Sequence, residues 1–300
     1  MKPSAGFLAA PLLAPLPAAA RDMALGPVVR TALPGCDDPT PVKAPSGAVY
    51  SNVSDCSPAG IRLSTGWVQL RPAERFVQSG VTTTGDGARG LKLSGALVEG
   101  GTLYLLERNV RGGGTRLGVS VGVERPEPRW SADIGFGWAS FAQASPDGYE
   151  YVYLRDSRTA YGPADRVDLA RVPKGKVGDL AAWQVFAGSS AASAWVPWAS
   201  RAARRPMLSD LGRIDRPHVS HLGGCWTMAV TMPPASGTRG GSGLAVYTSA
   251  HPAGPWNRRY YVTGENLGES AQFSPLYPGK LLLTAGDRFE WRRYSLSGGC

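Results

Sequence analysis

The chain has 300 residues, of which 43% are hydrophobic and 18% charged, with 9 Trp, 11 Tyr and 7 Phe. This composition excludes a disordered chain and a coiled coil. Glycine and proline together make up 64 of the 300 residues, a share that helices tolerate poorly and that an all-β protein accommodates in its turns. No apolar window reaches the roughly eighteen residues that a membrane-spanning helix needs, so we expect no membrane span.

The net charge is +9, and twenty-six of the 32 basic residues are arginine. Arginine suits bidentate contacts with carboxylate or phosphate, and an acidic polymer such as nucleic acid is one interpretation of this excess. The arginines are scattered along the chain, and no run of them exceeds two residues. This scatter favours a solvated basic surface, and we expect no nucleic-acid partner.

Residues 1–20 have the pattern of a secretory signal peptide. One cation, Lys2, precedes an apolar stretch of Ala, Leu and Pro, and small residues close it before Arg21. The prolines in this stretch favour the alternative, an Ala/Pro-rich extension. Export would make the protein secreted or periplasmic and would permit disulfide bonds. We expect residues 21–300 to form a single domain.

One pattern recurs five times along the rest of the chain: a glycine-containing tight turn followed by an aromatic and aliphatic run. The copies are SGAVY at 46–50, GGTLYLL at 100–106, DGYEYVY at 147–153, GGCWTMA at 223–229 and PGKLLLT at 278–284. A second strand-like run follows each copy, beginning near positions 62, 116, 166, 243 and 291. Each unit is therefore predicted to be a hairpin plus a third strand.

Repeats of roughly 45–55 residues with several strands each are typical of propeller blades. We therefore predict an all-β fold, a five-bladed β-propeller. The last copy ends near Leu296 without room for an outer strand, so residues 24–33 are predicted to supply that strand and close the ring. A single helical turn is predicted at 179–183. The alternative fold is a β-sandwich in which these spacings are fortuitous.

In a propeller the innermost strand of each blade lines the central channel, and here that strand precedes each turn glycine. Its first residues then converge on one mouth of the channel, where a ligand site is expected. The predicted mouth residues are Asp37, Asp38, Arg89, Lys92, Trp138, Ser140, Asp215, Arg216, His218, Glu269 and Gln272.

The stretch DGYEYVYLRDSRTAYGPADRVDLARVPKGKV at 147–177, followed by AAWQVFAG, closely resembles the bacterial five-bladed propellers grouped as domain of unknown function 4185. The stretches LVEGGTLYLLERN, RPHVSHLGGCWTM and SAHPAGPW are also similar to blades of that family, and the resemblance covers roughly residues 85–295. It implies a fold similar to glycoside hydrolase family 43 and a relationship to secreted endo-D-arabinanases. The first blade departs from the family, because residues 35–57 lack its tryptophans and its glycine-rich end.

Similarity to family 43 also implies candidate catalytic carboxyl groups, since glycoside hydrolysis uses an acid and a base or nucleophile. Asp38 stands in an Asp-Pro pair like that of the family's base. Asp215 opens blade four in the place of the family's acid, and Glu269 is an alternative acid. The family's third carboxylate has no counterpart in residues 135–141. The alternative to a catalytic role is that these aspartates cap turns and pair with neighbouring arginines.

Substrate contacts are predicted from the same mouth. Trp138 would stack on a sugar face, unless it packs between blades. Arg89, Lys92 and Arg216 would bind a carboxylated or phosphorylated glycan. Of the remaining mouth residues, Asp37, His218 and Gln272 are also predicted to contact substrate.

Cys36 and Cys56 lie symmetrically about the tip of the first hairpin, which predicts a disulfide between them; two independent thiols are the alternative. That bond would clamp the segment carrying Asp37, Asp38 and Asp55. Carboxylates crowded there should raise the pKa of at least one of them or bind a cation through oxygen. No cofactor is expected, although a channel cation such as calcium fits these ligands. His218 and His221 are not expected to chelate zinc together, because residues three apart on a strand face opposite ways.

The sequence thus predicts an exported, monomeric propeller that binds a polysaccharide and hydrolyses a glycosidic bond. The first alternative is a non-catalytic propeller that binds a glycan or a protein. The second is a polysaccharide lyase, with His218 or a tyrosine as the proton acceptor beside a cation that neutralises a uronate.

Overall fold

The computed structural model describes residues 22–34, 37–56, 63–71, 77–82, 91–110, 113–157, 164–188, 194–232, 243–263, 267, 270–284 and 288–300. The backbone alone is described at 30–34, 37–38, 53–56, 63–66, 71, 77–82, 210–213, 263 and 288. The predicted signal peptide, residues 1–20, lies outside the described residues.

The described residues form five sheets, which are the five blades of a β-propeller. The first blade contains β2 (Asp37–Lys43), β3 (Val49–Cys56), β4 (Leu63–Arg71) and β5 (Val77–Thr82). The second contains β6 (Lys92–Glu99), β7 (Thr102–Val110), β8 (Gly114–Val121) and β9 (Arg129–Asp133). The third contains β10 (Trp138–Phe141), β11 (Tyr149–Arg155), β12 (Ala164–Pro173), β13 (Gln184–Phe186), β14 (Trp195–Pro197) and β15 (Leu208–Ile214). The fourth contains β16 (Pro217–Leu222), β17 (Cys225–Met232), β18 (Gly243–Ser249) and β19 (Asn257–Thr263).

The fifth blade confirms the predicted closure of the ring. It contains β20 (Ser270–Phe273), β21 (Lys280–Thr284), β22 (Arg288–Leu296) and, as its outer strand, β1 (Met23–Pro34). The first strand runs antiparallel to the last, with Met23 opposite Leu296. The two ends of the described chain therefore share one sheet.

The hydrophobic core lies between the blades, because each central strand sends alternate side chains to opposite faces of its sheet. In β11, Val152 and Leu154 pack toward blade two, whereas Tyr151 and Tyr153 pack toward blade four. Each interface joins neighbouring blades, through Trp67 with Leu103, Leu106 with Val152, Tyr153 with Met228, Val246 with Leu281, and Leu282 with Val68. This two-sided burial explains why the repeated runs read as nearly continuous apolar stretches.

Serine side chains link the innermost strands of successive blades around the channel. Each hydroxyl donates to a backbone carbonyl oxygen of the next blade, namely Ser94 to Ala139 (2.7 Å), Ser140 to Pro217 (2.6 Å) and Ser220 to Phe273 (2.7 Å). These bonds place the innermost strands β6, β10, β16 and β20 side by side.

A disulfide joins Cys225, at the start of β17, to Cys300. In the same region the Nη1 of Arg259, in β19, donates to Asp22 Oδ2 over 3.0 Å. The backbone carbonyl of Asp22 also accepts from the amide of Ser297 over 2.8 Å. The segments before β1 and after β22 are thus both fastened to blade four.

The helical segments that are described are short. The turn predicted at 179–183 is a 3-10 segment, Leu180–Ala182, whose N-cap Asp179 accepts from the Ala181 amide. A second 3-10 segment spans Trp198–Ala203. Within the described ranges no helix is long and apolar enough to cross a membrane.

Candidate active site

The innermost strands of blades three, four and five bring Trp138, His218 and Ser270 close together at one end of the channel. In each blade the residue there faces a partner near the end of the second strand. The pairs are Asp37 with Ser54, Lys92 with Arg108, Trp138 with Arg155, and Ser270 with Thr284. In blade four Asp215 and Arg216 directly precede β16, and the Asp215 amide donates to the Thr231 carbonyl oxygen over 3.0 Å.

Trp138 forms the floor of this mouth. Its side chain has no exposed surface, and the guanidinium carbons of Arg108 and Arg216 lie 4.7 Å and 5.4 Å from its ring centroid. The imidazole of His218 meets it edge-on, with the ring centroids 6.0 Å apart. Trp138 therefore packs between blades, which is the alternative left open by the sequence, with two cations and a histidine around its ring.

Asp215 is the described carboxylate at this mouth. Its side chain is 24% exposed, and the Nη1 of Arg155, which is 1% exposed, bonds to its Oδ1 and also donates to its backbone carbonyl oxygen over 2.9 Å. The Nε of Arg216 lies 3.9 Å from the second carboxylate oxygen, Oδ2. The carboxylate is thus fixed from one side and accessible to solvent from the other.

The guanidinium groups influence one another at short range. Burial lowers the pKa of Arg155, and the charge of Asp215 opposes this effect. The positive charges of Arg216 and then Arg108 lower the pKa of Arg155 further. Two of these guanidinium groups, those of Arg155 and Arg216, also lie beside the partly exposed carboxylate of Asp215.

His218 and Gln272 lie beside this group, on the innermost strands of blades four and five. The Nε2 of His218 lies 3.3 Å from the Oγ of Ser270, and both residues are buried. Gln272 is buried as well, and its Nε2 finds no hydrogen-bond acceptor in the described part of the chain. Ser140, the other mouth residue predicted on β10, is engaged with the Pro217 carbonyl oxygen.

Several predicted site residues lie outside what is described. Arg89, Glu269 and Cys36 are not described at all, and only the backbone is described for Asp37, Asp38, Asp55 and Cys56. The roles given to these residues, the Cys36–Cys56 disulfide included, stay predictions. Within the described residues, no group of three His, Cys, Asp or Glu side chains is placed to hold a metal ion; a cation held by the carboxylates of the first blade also stays a prediction.

The sequence interpretation missed Arg108 and Arg155, because it considered only the first residues of the innermost strands. Both lie seven residues after a turn glycine, Gly101 and Gly148 respectively. The repeat itself contains this signal, since the two arginines occupy equivalent positions of neighbouring blades. The Cys225–Cys300 disulfide was also missed, and a separation of 75 residues leaves no local pattern from which to find it.

The opposite end of the channel has a different character. A cavity of 180 Å³ is lined there by Pro41, Val42, Lys43, Ala96, Leu97, Val98, Gln143, Ala144, Pro275 and Leu276. This lining is mostly apolar and contains no carboxylate. Acid–base chemistry is therefore better supported at the mouth that holds Asp215.

Comparison with solved structures supports the same fold. No protein-family model and no curated protein matches the chain. A GH43_1 enzyme from Xanthomonas citri has a TM-score of 0.53 and 14% identity, with 92% of this chain and 91% of that chain covered. Its complex with xylotriose has a TM-score of 0.53 and 15% identity, with 90% of each chain covered. The arabinanase of Bacillus subtilis has a TM-score of 0.51 and 10% identity, with 91% and 96% covered. The chain therefore shares the five-bladed propeller fold of family 43 glycoside hydrolases.

Proposed function

We propose that this chain is a glycoside hydrolase that cleaves a polysaccharide at the channel mouth, with Asp215 as general acid and Asp38 as base or nucleophile. The observation that carries the proposal is the position of Asp215. It is a partly exposed carboxylate held at the convergence of the blades by Arg155 and flanked by Arg216. The neighbours of the same fold include a xylotriose-bound enzyme and an arabinanase.

The chemistry assigned to the two carboxyl groups is what their similarity to the carboxylates of family 43 implies. Asp38 lies on β2, the innermost strand of blade one, and Asp215 opens blade four. Asp215 would protonate the glycosidic oxygen as the bond to the anomeric carbon breaks. Asp38 would either take a proton from the attacking water or attack the anomeric carbon itself, after which water releases the sugar. Glu269 remains the alternative acid.

An arabinan-like polysaccharide is the substrate that the resemblance to domain of unknown function 4185 favours. Export of the protein belongs to this proposal, because polysaccharides of this kind lie outside the cytoplasm. The Cys225–Cys300 disulfide supports export, since such bonds persist in oxidising compartments.

A non-catalytic glycan-binding propeller is the second candidate, and one observation favours it. The segment opening blade three contains Trp138 and lacks a carboxylate, so the mouth has no third acidic group there. A propeller of this kind would retain sugar contacts without hydrolysis. The buried position of His218 and its contact with Ser270 give the lyase alternative less support, because a proton acceptor must reach the substrate.

Hydrolysis assays with single carboxamide variants test the proposal. Arabinan, arabinogalactan and uronate polysaccharides are incubated with wild type, Asp38→Asn, Asp215→Asn and the control Asp179→Asn, which changes a helix cap on blade three. We expect wild type and the control to release reducing sugar from one polymer, and the two site variants to lose that activity while still binding it. Activity that survives in both site variants excludes this catalytic pair. Binding without hydrolysis by wild type establishes the second candidate, and products with unsaturated ends establish the lyase.

A further inference from the structure

The cavity of 180 Å³ at the end of the channel away from Asp215 is enclosed by several blades. Its lining comes from the end of β2, the second half of β6 and the residues that directly follow β10 and β20. Because the innermost strands surround the propeller axis, a cavity lined by the ends of four of them lies on that axis. We call it the axial cavity. The proposed hydrolysis makes no use of it.

Gln143, which follows β10 in blade three, holds the walls of the axial cavity in place. Its backbone amide donates to the Val219 carbonyl oxygen and its carbonyl oxygen accepts from the His221 amide, both over 2.9 Å, so its backbone is fixed to blade four. Its side-chain Nε2 donates over 3.1 Å to the carbonyl oxygen of Pro41 in blade one. Pro41 and Pro275 add rigidity to the lining, because their φ angles are fixed. The cavity is therefore preformed, which lowers the conformational cost of binding a ligand.

The apolar walls of the axial cavity keep part of their surface accessible. Leu97, Val98, Pro275 and Leu276 are half-buried. Leu97, Val98 and Leu276 extend from three different hydrophobic clusters between blades and converge at this cavity. A ligand that covers them removes apolar surface from water. A cavity of about 150 Å³ holds one benzene ring, so the 180 Å³ present here suits a single ring or a chain of about six carbons.

Lys43, at the end of β2, is the charged residue of this lining. Its side chain is exposed, and no carboxylate among the described residues forms an ion pair with it. The stem of a lysine lies along apolar surface while its ammonium stays in water. An ammonium has three donors and no acceptor. The group that complements it at the edge of an apolar cavity is a carboxylate.

We propose that the axial cavity binds a small carboxylic acid with an apolar body, the body against Leu97, Val98 and Leu276 and the carboxylate on the ammonium of Lys43. The body is a single aromatic ring or a short aliphatic chain, and these two forms share the same recognition chemistry. The charged hydrogen bond to Lys43 distinguishes the acid from a neutral molecule of the same shape. This site lies at the opposite end of the channel from Asp215 and does not rest on the proposed function.

Calorimetric titration of the whole chain with four small molecules tests the ligand chemistry. Phenylacetate and hexanoate carry both the apolar body and the charge. Phenylacetamide keeps the shape of phenylacetate without the charge, and acetate keeps the charge without the apolar body. We expect one of the two acids to bind with a Kd of about 0.1 mM, phenylacetamide to bind about fivefold more weakly than phenylacetate, and acetate not to bind. Preference between phenylacetate and hexanoate identifies the form of the body.

Two matched pairs of variants locate the site. Lys43→Gln removes the ammonium at an exposed position, and Lys176→Gln does the same at an exposed position of blade three. Leu276→Ala removes a half-buried wall of the cavity, and Leu180→Ala shortens a half-buried leucine of the first 3-10 segment. We expect Lys43→Gln and Leu276→Ala each to weaken binding of the acid about fivefold, and the two controls to retain it. If Leu276→Ala does not fold, the lysine pair decides.

Several results overturn the inference: no binding of either acid, equal binding of phenylacetate and phenylacetamide, or binding of acetate as strong as that of the larger acids. Equal affinity of wild type and Lys43→Gln overturns it as well, as does equal loss in Lys43→Gln and Lys176→Gln. The variant Arg216→Gln excludes binding at the other end of the channel, and loss of binding there would place the acid at the mouth and overturn the axial site. Hydrolysis by wild type, or its absence, leaves each of these outcomes unchanged.

Discussion

Arg155 donates through a single nitrogen, Nη1, to both the backbone carbonyl oxygen and the carboxylate of Asp215. The two residues are 60 positions apart and belong to different blades, since Arg155 ends β11 and Asp215 precedes β16. A carboxyl group held at both its backbone and its side chain has little freedom to turn. Arg155 is therefore a positioning residue for Asp215.

Replacing Arg155 by Met should reduce hydrolysis mainly through kcat. The carboxylate of Asp215 would lose its fixed geometry while the substrate-contacting groups remain, so we expect kcat to fall about 10- to 100-fold with a smaller change in KM. Loss of a buried ion-pair partner should also lower the free energy of unfolding by about 3 kcal/mol. Steady-state kinetics and urea unfolding measure the two effects.

The conservative variant Arg155→Lys separates positioning from general stability. A lysine keeps the charge and one hydrogen bond, and it should restore part of kcat. Arg171→Met, which removes an arginine away from the mouth, should leave kcat unchanged. A kcat that is equal in wild type and Arg155→Met would contradict the role of Arg155.

A substitution at Ser140 tests the serine hydrogen bonds that link the innermost strands of neighbouring blades. Its hydroxyl is buried and donates over 2.6 Å to the carbonyl oxygen of Pro217 in the next blade. We expect Ser140→Ala to lower the free energy of unfolding by about 1 kcal/mol, measured by urea denaturation. The exposed Ser46, in the first hairpin turn, is the matched control, and Ser46→Ala should change stability by less than about 0.5 kcal/mol. Equal stability of the two variants would show that the link adds nothing.

The fold was predictable because the same turn-and-strand pattern recurs five times in the sequence. A turn glycine before each buried run, such as Gly101 and Gly148, fixes the order of strands within a blade, and the missing outer strand of the last blade pointed to residues 24–33. The individual side-chain contacts at the mouth could not be predicted from the sequence. Whether Trp138 faces solvent or lies under Arg108 depends on side chains from three blades, and no local pattern encodes that packing.

The disulfide between Cys225 and Cys300 should stabilise the closed ring. It spans 75 residues, and a loop of this length corresponds to about 4 kcal/mol in the chain-entropy account. We expect the double variant Cys225→Ser/Cys300→Ser to melt about 10 °C below wild type, as measured by calorimetry. If the double variant melts at the wild-type temperature, the hydrogen bonds of Arg259 to the flanking segments are sufficient to stabilise the closed ring without the disulfide.

Glu150, which is not one of the mouth residues, should make the stability of the fold depend on pH. This residue of β11 is buried, and burial raises the pKa of its carboxyl from 4.5 to about 7. The charge of Lys174, whose Nζ lies 3.8 Å from Oε1, lowers this pKa. The charges of Glu99 and Asp147 raise it. In the unfolded chain the carboxyl loses its proton near pH 4.5, whereas in the folded protein it keeps the proton until about pH 7. The contribution of Glu150 to stability is therefore full below pH 4.5 and is lost as the pH rises through that window.

Substitution by Gln should remove this loss, because the amide stays neutral at every pH. The difference in unfolding free energy between Glu150→Gln and wild type should therefore increase in favour of the variant, by at most about 3 kcal/mol, as the pH rises from 4.5 to 7. Urea denaturation at several pH values measures the difference, with Glu127→Gln, an exposed position, as the control. A difference that stays constant with pH, or that moves in favour of wild type, would show that Glu150 is already charged in the folded protein and that Lys174 compensates its burial.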